Sequence, residues 1–146
     1  MKKTLAIIAL ISAAIVTISA VRQTEKYNIV AEIQDFDLKK SIERGQEIYG
    51  GFCAQCHLPN GKGIPGTFPP LAGSDWLKNK RTESIHSVKY GLKGTITVNG
   101  QTYQQMMPNP GLENDEVADV MNYIMNSWGN TQEKPVTPDE VTSIAK

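Results

Sequence analysis

An excess of charge of either sign is missing from this sequence. Its 146 residues carry 15 basic and 15 acidic side chains, for a formal net charge of zero. That balance gives no support for bulk electrostatic binding to nucleic acid. Histidine is scarce, with only His57 and His86, and so is cysteine, with only Cys53 and Cys56. A closed structural zinc site usually draws on two ligand pairs and fits poorly here. A thioredoxin-like dithiol fits poorly too, because no βαβ pattern surrounds the cysteines. The chain shows no paired acid and base, no nucleophile constellation, no phosphate-binding loop and no internal repeat. Roughly 100 residues look foldable once the ends are set aside, which is one small domain with a modest core.

The scarce residues are concentrated in one place. Cys53-Ala54-Gln55-Cys56-His57 places two thiols three positions apart with an imidazole immediately after them. This is the attachment pattern of a c-type haem. Each thiol adds to one vinyl group of the porphyrin, and the histidine lies beneath the iron as its ligand. A covalently held haem would also supply much of the apolar centre that so short a chain lacks.

Taken in order, the chain begins Met1-Lys2-Lys3 and continues with an uncharged run from Leu5 to Val21. This reads as an export signal, at about 17 residues short for a spanning helix. Residues 1–21 are a cleaved signal peptide or a membrane anchor. The absence of a clean small-x-small cleavage site favours the anchor. Export agrees with the motif, since c-type haem is attached on the outer side of the bacterial inner membrane. The expected location is therefore the periplasmic side of that membrane, anchored or soluble. Residues 22–37 read as a polar tether.

From Leu38 to Phe52 the pattern predicts a helix, with Leu38, Ile42, Ile48, Tyr49 and Phe52 on one apolar face. Gly45 costs such a helix about 1 kcal/mol relative to alanine, so a close packing contact is expected there. Pro59 to Gly66 is dense in turn formers and predicts an irregular loop. Phe68, Leu71, Trp76 and Leu77 follow as apolar residues suited to packing on a porphyrin. Thr82 to Tyr90 predicts a short helix stopped by Gly91, with Thr82 or Ser74 as N-caps hereabouts. Thr95 to Tyr103 alternates around Asn99-Gly100 and predicts a two-residue hairpin. Asn114 to Trp128 is the clearest helix, with Asn114 as N-cap and Gly129-Asn130 as the stop. Residues 131–146 read as a surface tail with one short helical turn near Asp139 to Ile144.

Taken together, these features resemble the class I cytochrome c family of small single-haem electron carriers. The resemblance covers about residues 42–130 and rests on Gly45-x-x-x-Tyr49, Cys53-Ala-Gln-Cys-His57, Phe68-Pro69-Pro70-Leu71-Ala-Gly, Met107-Pro108 and the Asp119 to Asn130 segment. It implies an all-α fold wrapped around one covalent haem c, with a small β-hairpin, over residues 38–130. It further implies Cys53 and Cys56 as thioether positions, His57 as proximal iron ligand and Met107 as distal ligand. Pro69 would accept the imidazole N–H through its carbonyl, fixing the ring. Gly45 and Tyr49 would cross the last helix near Val120 and Tyr123. The hairpin and the closing Asn-Ser-Trp-Gly-Asn look like bacterial cytochrome subunits that accompany oxidases, nitrite reductases and periplasmic dehydrogenases. One position departs from the family: Met106, where a small residue often precedes the ligand methionine. Met106 therefore competes with Met107, and His86 is a further rival, with a plain surface role as its alternative. Met121 and Met125 read as core filler.

The function this implies is one-electron transfer between redox proteins such as an oxidase, reductase or dehydrogenase, without enzymatic turnover. A methionine–histidine pair raises the haem potential and fills both axial sites. An open sixth site would instead allow ligand binding or peroxidase-like chemistry. A fixed place as the cytochrome subunit of an oxidase or dehydrogenase complex is the third reading. Lys62, Lys78, Lys80, Arg81, Lys89 and Lys93 are grouped in the middle of the sequence and acids dominate from Glu113 onward. This pattern reads equally as a steering dipole for an acidic partner or as a solvated face.

Overall fold

The computed structural model describes residues 38–132 and 134–146. The expected signal or anchor at 1–21 and the tether at 22–37 lie outside these residues. Among the described residues, no helix is long and apolar enough to cross a membrane.

The first described element, α1, is helical over residues 38–52. Its buried stripe differs from the expected one. Ser41, Gly45 and Tyr49, spaced four apart, face inward, while Phe52 is 58% exposed. The inward stripe is small and polar because it meets the backbone and carboxylate of another helix, α5 (Asn114–Met125). A Cβ on Gly45 would collide with the Asp119 carbonyl oxygen and lie 2.9 Å from Tyr123 Cβ. Ser41 Oγ donates to Asp119 Oδ1 at 2.6 Å, and Arg44 Nη2 donates to the same carboxylate at 2.7 Å. Tyr49 packs on Tyr123 and Trp128, with ring centres 5.4 and 5.0 Å apart. The expected crossing of Gly45 and Tyr49 over the last helix is present.

α5 starts one residue earlier than expected in its capping. Glu113, not Asn114, is the N-cap, and it exchanges hydrogen bonds with Glu116 in a capping box. The helix stops at Met125 instead of Trp128. Trp128 adopts a φ of 54° and folds back toward Gly61 and Tyr49.

Between these helices lie α2 (Ala54–His57), α3 (Asp75–Asn79) and α4 (Arg81–Tyr90). Ser74 caps α3 by accepting from Leu77 N. Thr82 caps nothing, because α4 begins at Arg81 with Lys80 as its N-cap. Strands β1 (Ile96–Val98) and β2 (Gln101–Tyr103) pair antiparallel, Ile96 opposite Tyr103. Asn99 and Gly100 both have positive φ, as the tight turn predicted from Asn-Gly requires. The hairpin tip is tied down by reciprocal bonds between Asn99 and Asp75 of 2.8–2.9 Å.

The C-terminal segment corrects the expectation of a surface tail. Val136 and Val141 are 3% and 0% exposed and join the core with Ile85, Val117, Val120 and Ile124. The helical turn is α6 (Pro138–Ser143), which packs on α5 and α4. Arg81 clamps Glu140 with two hydrogen bonds, and Lys89 Nζ and Tyr90 OH reach the Ile144 carbonyl. Two residues of the basic group therefore hold this segment in place, which weakens the simple picture of a charge dipole.

Candidate functional site

α1 delivers the chain directly into the motif. Cys53 is the N-cap of α2, and its carbonyl accepts from Cys56 N and His57 N at 3.2 and 3.0 Å. That single turn holds both thiols and the imidazole in one rigid unit. Leu58 ends it with a φ of 62°, and Tyr49 OH donates to the Leu58 carbonyl at 2.7 Å.

The loop that follows folds back beneath the histidine. Gly63 N donates to the His57 carbonyl at 2.9 Å, and His57 Nδ1 lies 2.9 Å from the Pro69 carbonyl oxygen. A carbonyl only accepts, so Nδ1 carries the proton and Nε2 keeps its lone pair. Gly63 makes this approach possible. Its φ is 62°, and a Cβ there would press on the Phe68 and Pro69 carbonyl groups. Burial pushes the His57 pKa down, against a smaller upward pull from the Pro69 bond. Burial, the larger effect, favours the neutral imidazole, and the Pro69 bond orients it; neutral imidazole is the form that binds a metal.

A cavity opens beside this unit, with about 600 Å³ of space when counted out to open solvent. Cys53 and His57 line it, together with Pro69, Pro70, Leu71, Trp76 and Leu77. α4 contributes Ser84, Ser87 and Val88; the hairpin contributes Ile96 and Val98; α5 contributes Met121 and Ile124. The two serine hydroxyls are turned back onto the Lys80 and Glu83 carbonyls, so the wall is almost wholly apolar. Cys56 is half-buried in the same turn but does not line the cavity. Phe68 and Tyr103 do not line it either, and the Tyr103 hydroxyl bonds Gln101.

Met107 lines this cavity, whereas Met106 is 54% exposed and does not. Met107 and Leu92 exchange backbone hydrogen bonds of 2.9 Å in an isolated bridge, which fixes the loop against the end of α4. Gly91 permits that contact, since a Cβ there would sit 2.8 Å from the Met107 carbonyl oxygen. His86 does not line the cavity; its ring stacks near Tyr90 at 5.0 Å. Among the described residues, no group of three metal-ligating side chains of the zinc type is present.

The residues present fit a haem. Cys53, an imidazole with a free Nε2 and the Met107 thioether line one apolar cavity, and Cys56 lies in the same turn as Cys53 and His57. Burial, with Cys56 nearby, pushes the Cys53 thiol up to about 11. A redox dithiol needs the opposite shift.

The sequence reading missed the residues that hold this frame. Asn130 does more than stop a helix: its amide donates to the Leu71 and Ile124 carbonyls and accepts from Gly73 N, each at 2.9 Å. It pins the Pro-Pro-Leu wall to α5. The tight glycine spacing of Gly61 and Gly63 after the histidine was the available signal for the loop beneath it.

Comparison with known proteins agrees with this geometry. The family model for cytochrome c matches residues 42–128. Cytochrome c-552 of Thermus thermophilus is 40% identical over 109 residues, covering 68% of this chain and 82% of that protein. The cytochrome c subunit of a quinone alcohol dehydrogenase from Gluconacetobacter polyoxogenes is 32% identical over 104 residues, covering 68% of this chain and 22% of the subunit. The cytochrome c subunit of gluconate 2-dehydrogenase from Pantoea cypripedii is 32% identical over 127 residues, covering 77% and 28%.

Proposed function

Because this chain belongs to the cytochrome c family, with one covalent haem c serving electron transfer, we propose that Cys53 and Cys56 hold the porphyrin and that His57 and Met107 are the axial ligands. The bound haem supplies one-electron exchange at iron. The chain does the rest. The Cys53–His57 turn fixes attachment and proximal ligand together, and Pro69 orients the imidazole. The Leu92–Met107 bridge positions the thioether sulfur. The apolar walls exclude water, so little reorganises when the charge changes. With both axial sites filled by the protein, the reading is a carrier that passes electrons and turns over no substrate. The observation that carries it is the convergence of Cys53, His57 and Met107 on one apolar cavity.

The partners in this reading are redox proteins, and no nucleic acid. The Lys-Lys start and uncharged run of residues 1–21 support a place on the periplasmic side of the bacterial inner membrane, held there by that segment as an anchor. The dehydrogenase subunits among the relatives favour a second reading, a fixed cytochrome subunit of a dehydrogenase complex. Spectroelectrochemical titration tests the carrier: one electron per haem and no carbon monoxide uptake by the reduced form are expected. Carbon monoxide uptake would overturn it in favour of an open sixth site. Co-purification of a stoichiometric dehydrogenase from membranes would favour the fixed subunit.

A further inference from the structure

Tyr49 grips both ends of the attachment unit. Its backbone carbonyl accepts from Cys53 N at 3.0 Å, and its hydroxyl donates to the Leu58 carbonyl at 2.7 Å. The segment between these two points carries both cysteines and His57. Tyr49 is itself 2% exposed and wedged against the rings of Tyr123 and Trp128. Its hydroxyl therefore carries the rigidity of the α1–α5 crossing to residue 58.

Leu58 is where such a hold is needed. Its backbone stands at φ 62° and ψ 155°, a region that glycine enters freely and other residues rarely. Pro59 follows, and a proline asks for an extended ψ in the residue before it, so the strain sits in φ alone. Two donors meet the Leu58 carbonyl, the Tyr49 hydroxyl and Gly61 N at 3.0 Å. The four residues of α2 cannot resist the strain by themselves, because one turn of helix has no stability of its own. A return of φ to negative values would swing the loop that follows, and that loop brings the Pro69 carbonyl to His57 Nδ1.

We propose that the Tyr49 hydroxyl is a positioning group for the proximal imidazole: it holds Leu58 in its strained conformation and so keeps the Pro69 carbonyl seated on His57 Nδ1. The proposal rests on His57 being the iron ligand and goes beyond the packing of the Tyr49 ring. Tyr49 does not line the cavity, so its hydroxyl acts only through Leu58.

The test follows the His57 Nδ1 proton by NMR in the reduced, haem-loaded full-length protein, with the midpoint potential measured on the same samples. Tyr49→Phe keeps the ring and removes the hydroxyl. It should speed exchange of that proton by about tenfold, the weight of one hydrogen bond. It should also raise the potential, because an imidazole with a weaker Pro69 bond is a poorer donor. Tyr123→Phe removes a hydroxyl from the same aromatic cluster and should change neither reading. Leu58→Gly, added to Tyr49→Phe, relieves the strain and should return exchange toward the wild-type rate. Leu58→Ala, added in the same way, trims the side chain but keeps the strain and should not. Unchanged exchange in Tyr49→Phe, an equal effect of Tyr123→Phe, or rescue by alanine as well as glycine would each overturn the proposal while leaving the ligand reading intact. A wild-type His57 signal without the ring-current shift of a bound haem would overturn the ligand reading and the proposal with it. That shift is read in the same spectrum, so the two failures are distinct.

Discussion

Gly45→Ala isolates the contact on which the whole frame depends. In an isolated helix the change is favourable by about 1 kcal/mol, because glycine is the poorer helix former. In this protein the added Cβ meets the Asp119 carbonyl oxygen, lies 2.6 Å from the carbonyl carbon and 2.9 Å from Tyr123 Cβ. Two of those atoms are backbone, so no rotamer relieves the clash, and α1 must move off α5. Overpacking of this kind costs typically about 1–3 kcal/mol and occasionally more. The movement also stretches the Ser41 and Arg44 bonds to Asp119. A loss at the upper end of that range outweighs the propensity gain and leaves a net cost of about 2 kcal/mol. For a domain near this size that is a fall in Tm of about 8–16 °C. Gly50→Ala and Gly51→Ala are the internal controls, since nothing lies within 4 Å of a Cβ at either position. They should be neutral or stabilising by up to about 1 kcal/mol. Thermal and denaturant unfolding of the holoprotein measure all three. If Gly45→Ala behaves like Gly50→Ala, the crossing is not as tight as described and the reasoning is wrong.

Three further outcomes follow from the same geometry. Gly63→Ala should push the Pro69 carbonyl away from His57 Nδ1, weaken the imidazole as a donor and raise the haem midpoint potential; a redox titration with no shift would contradict this. Arg81 holds the Glu140 carboxyl below its usual range, so its contribution is present above pH 4.5 and is lost as the pH falls through the lowered value. The Tm of the wild type should therefore drop more steeply than that of Glu140→Gln between about pH 5 and pH 3, and parallel curves would refute the clamp. Truncation after Asn130 removes two fully seated valines, Val136 and Val141, and should cost at least about 3 kcal/mol in denaturant unfolding; an unchanged midpoint would restore the surface tail.

The motif and the principal elements were legible because their signals are local. Cys53 to His57, the Asn99-Gly100 turn and the apolar repeat of α5 each declare themselves within one or two turns of chain. Gly45 was legible as a contact because a helical glycine needs a reason. What escaped the reading depends on distant partners. The C-terminal segment has few large apolar residues, and its two valines matter only because α4 and α5 leave a place for them. Arg81 and Lys89 looked like members of a charged face until Glu140 and the Ile144 carbonyl came to meet them. Phe52 fits the helical period, yet the inward stripe was chosen by Asp119 and Tyr123, some 70 residues away. Glu113 took the cap from Asn114 because Glu116 completes a box with it. In the site, the Met107-Pro108 pair pointed to Met107 but left Met106 as a rival; the structure seats Met107 on the cavity wall, bridged to Leu92, and leaves Met106 in solvent.

The central claim is that His57 and Met107 hold the iron. The most direct test is the absorption spectrum of the ferric holoprotein, read at the weak long-wavelength band that marks methionine sulfur on ferric haem. It should be recorded for the wild type, Met107→Ala and Met106→Ala. The account predicts the band in the wild type and in Met106→Ala, and its loss in Met107→Ala alone. A wild type without the band, or a band that survives Met107→Ala and disappears in Met106→Ala, would contradict it.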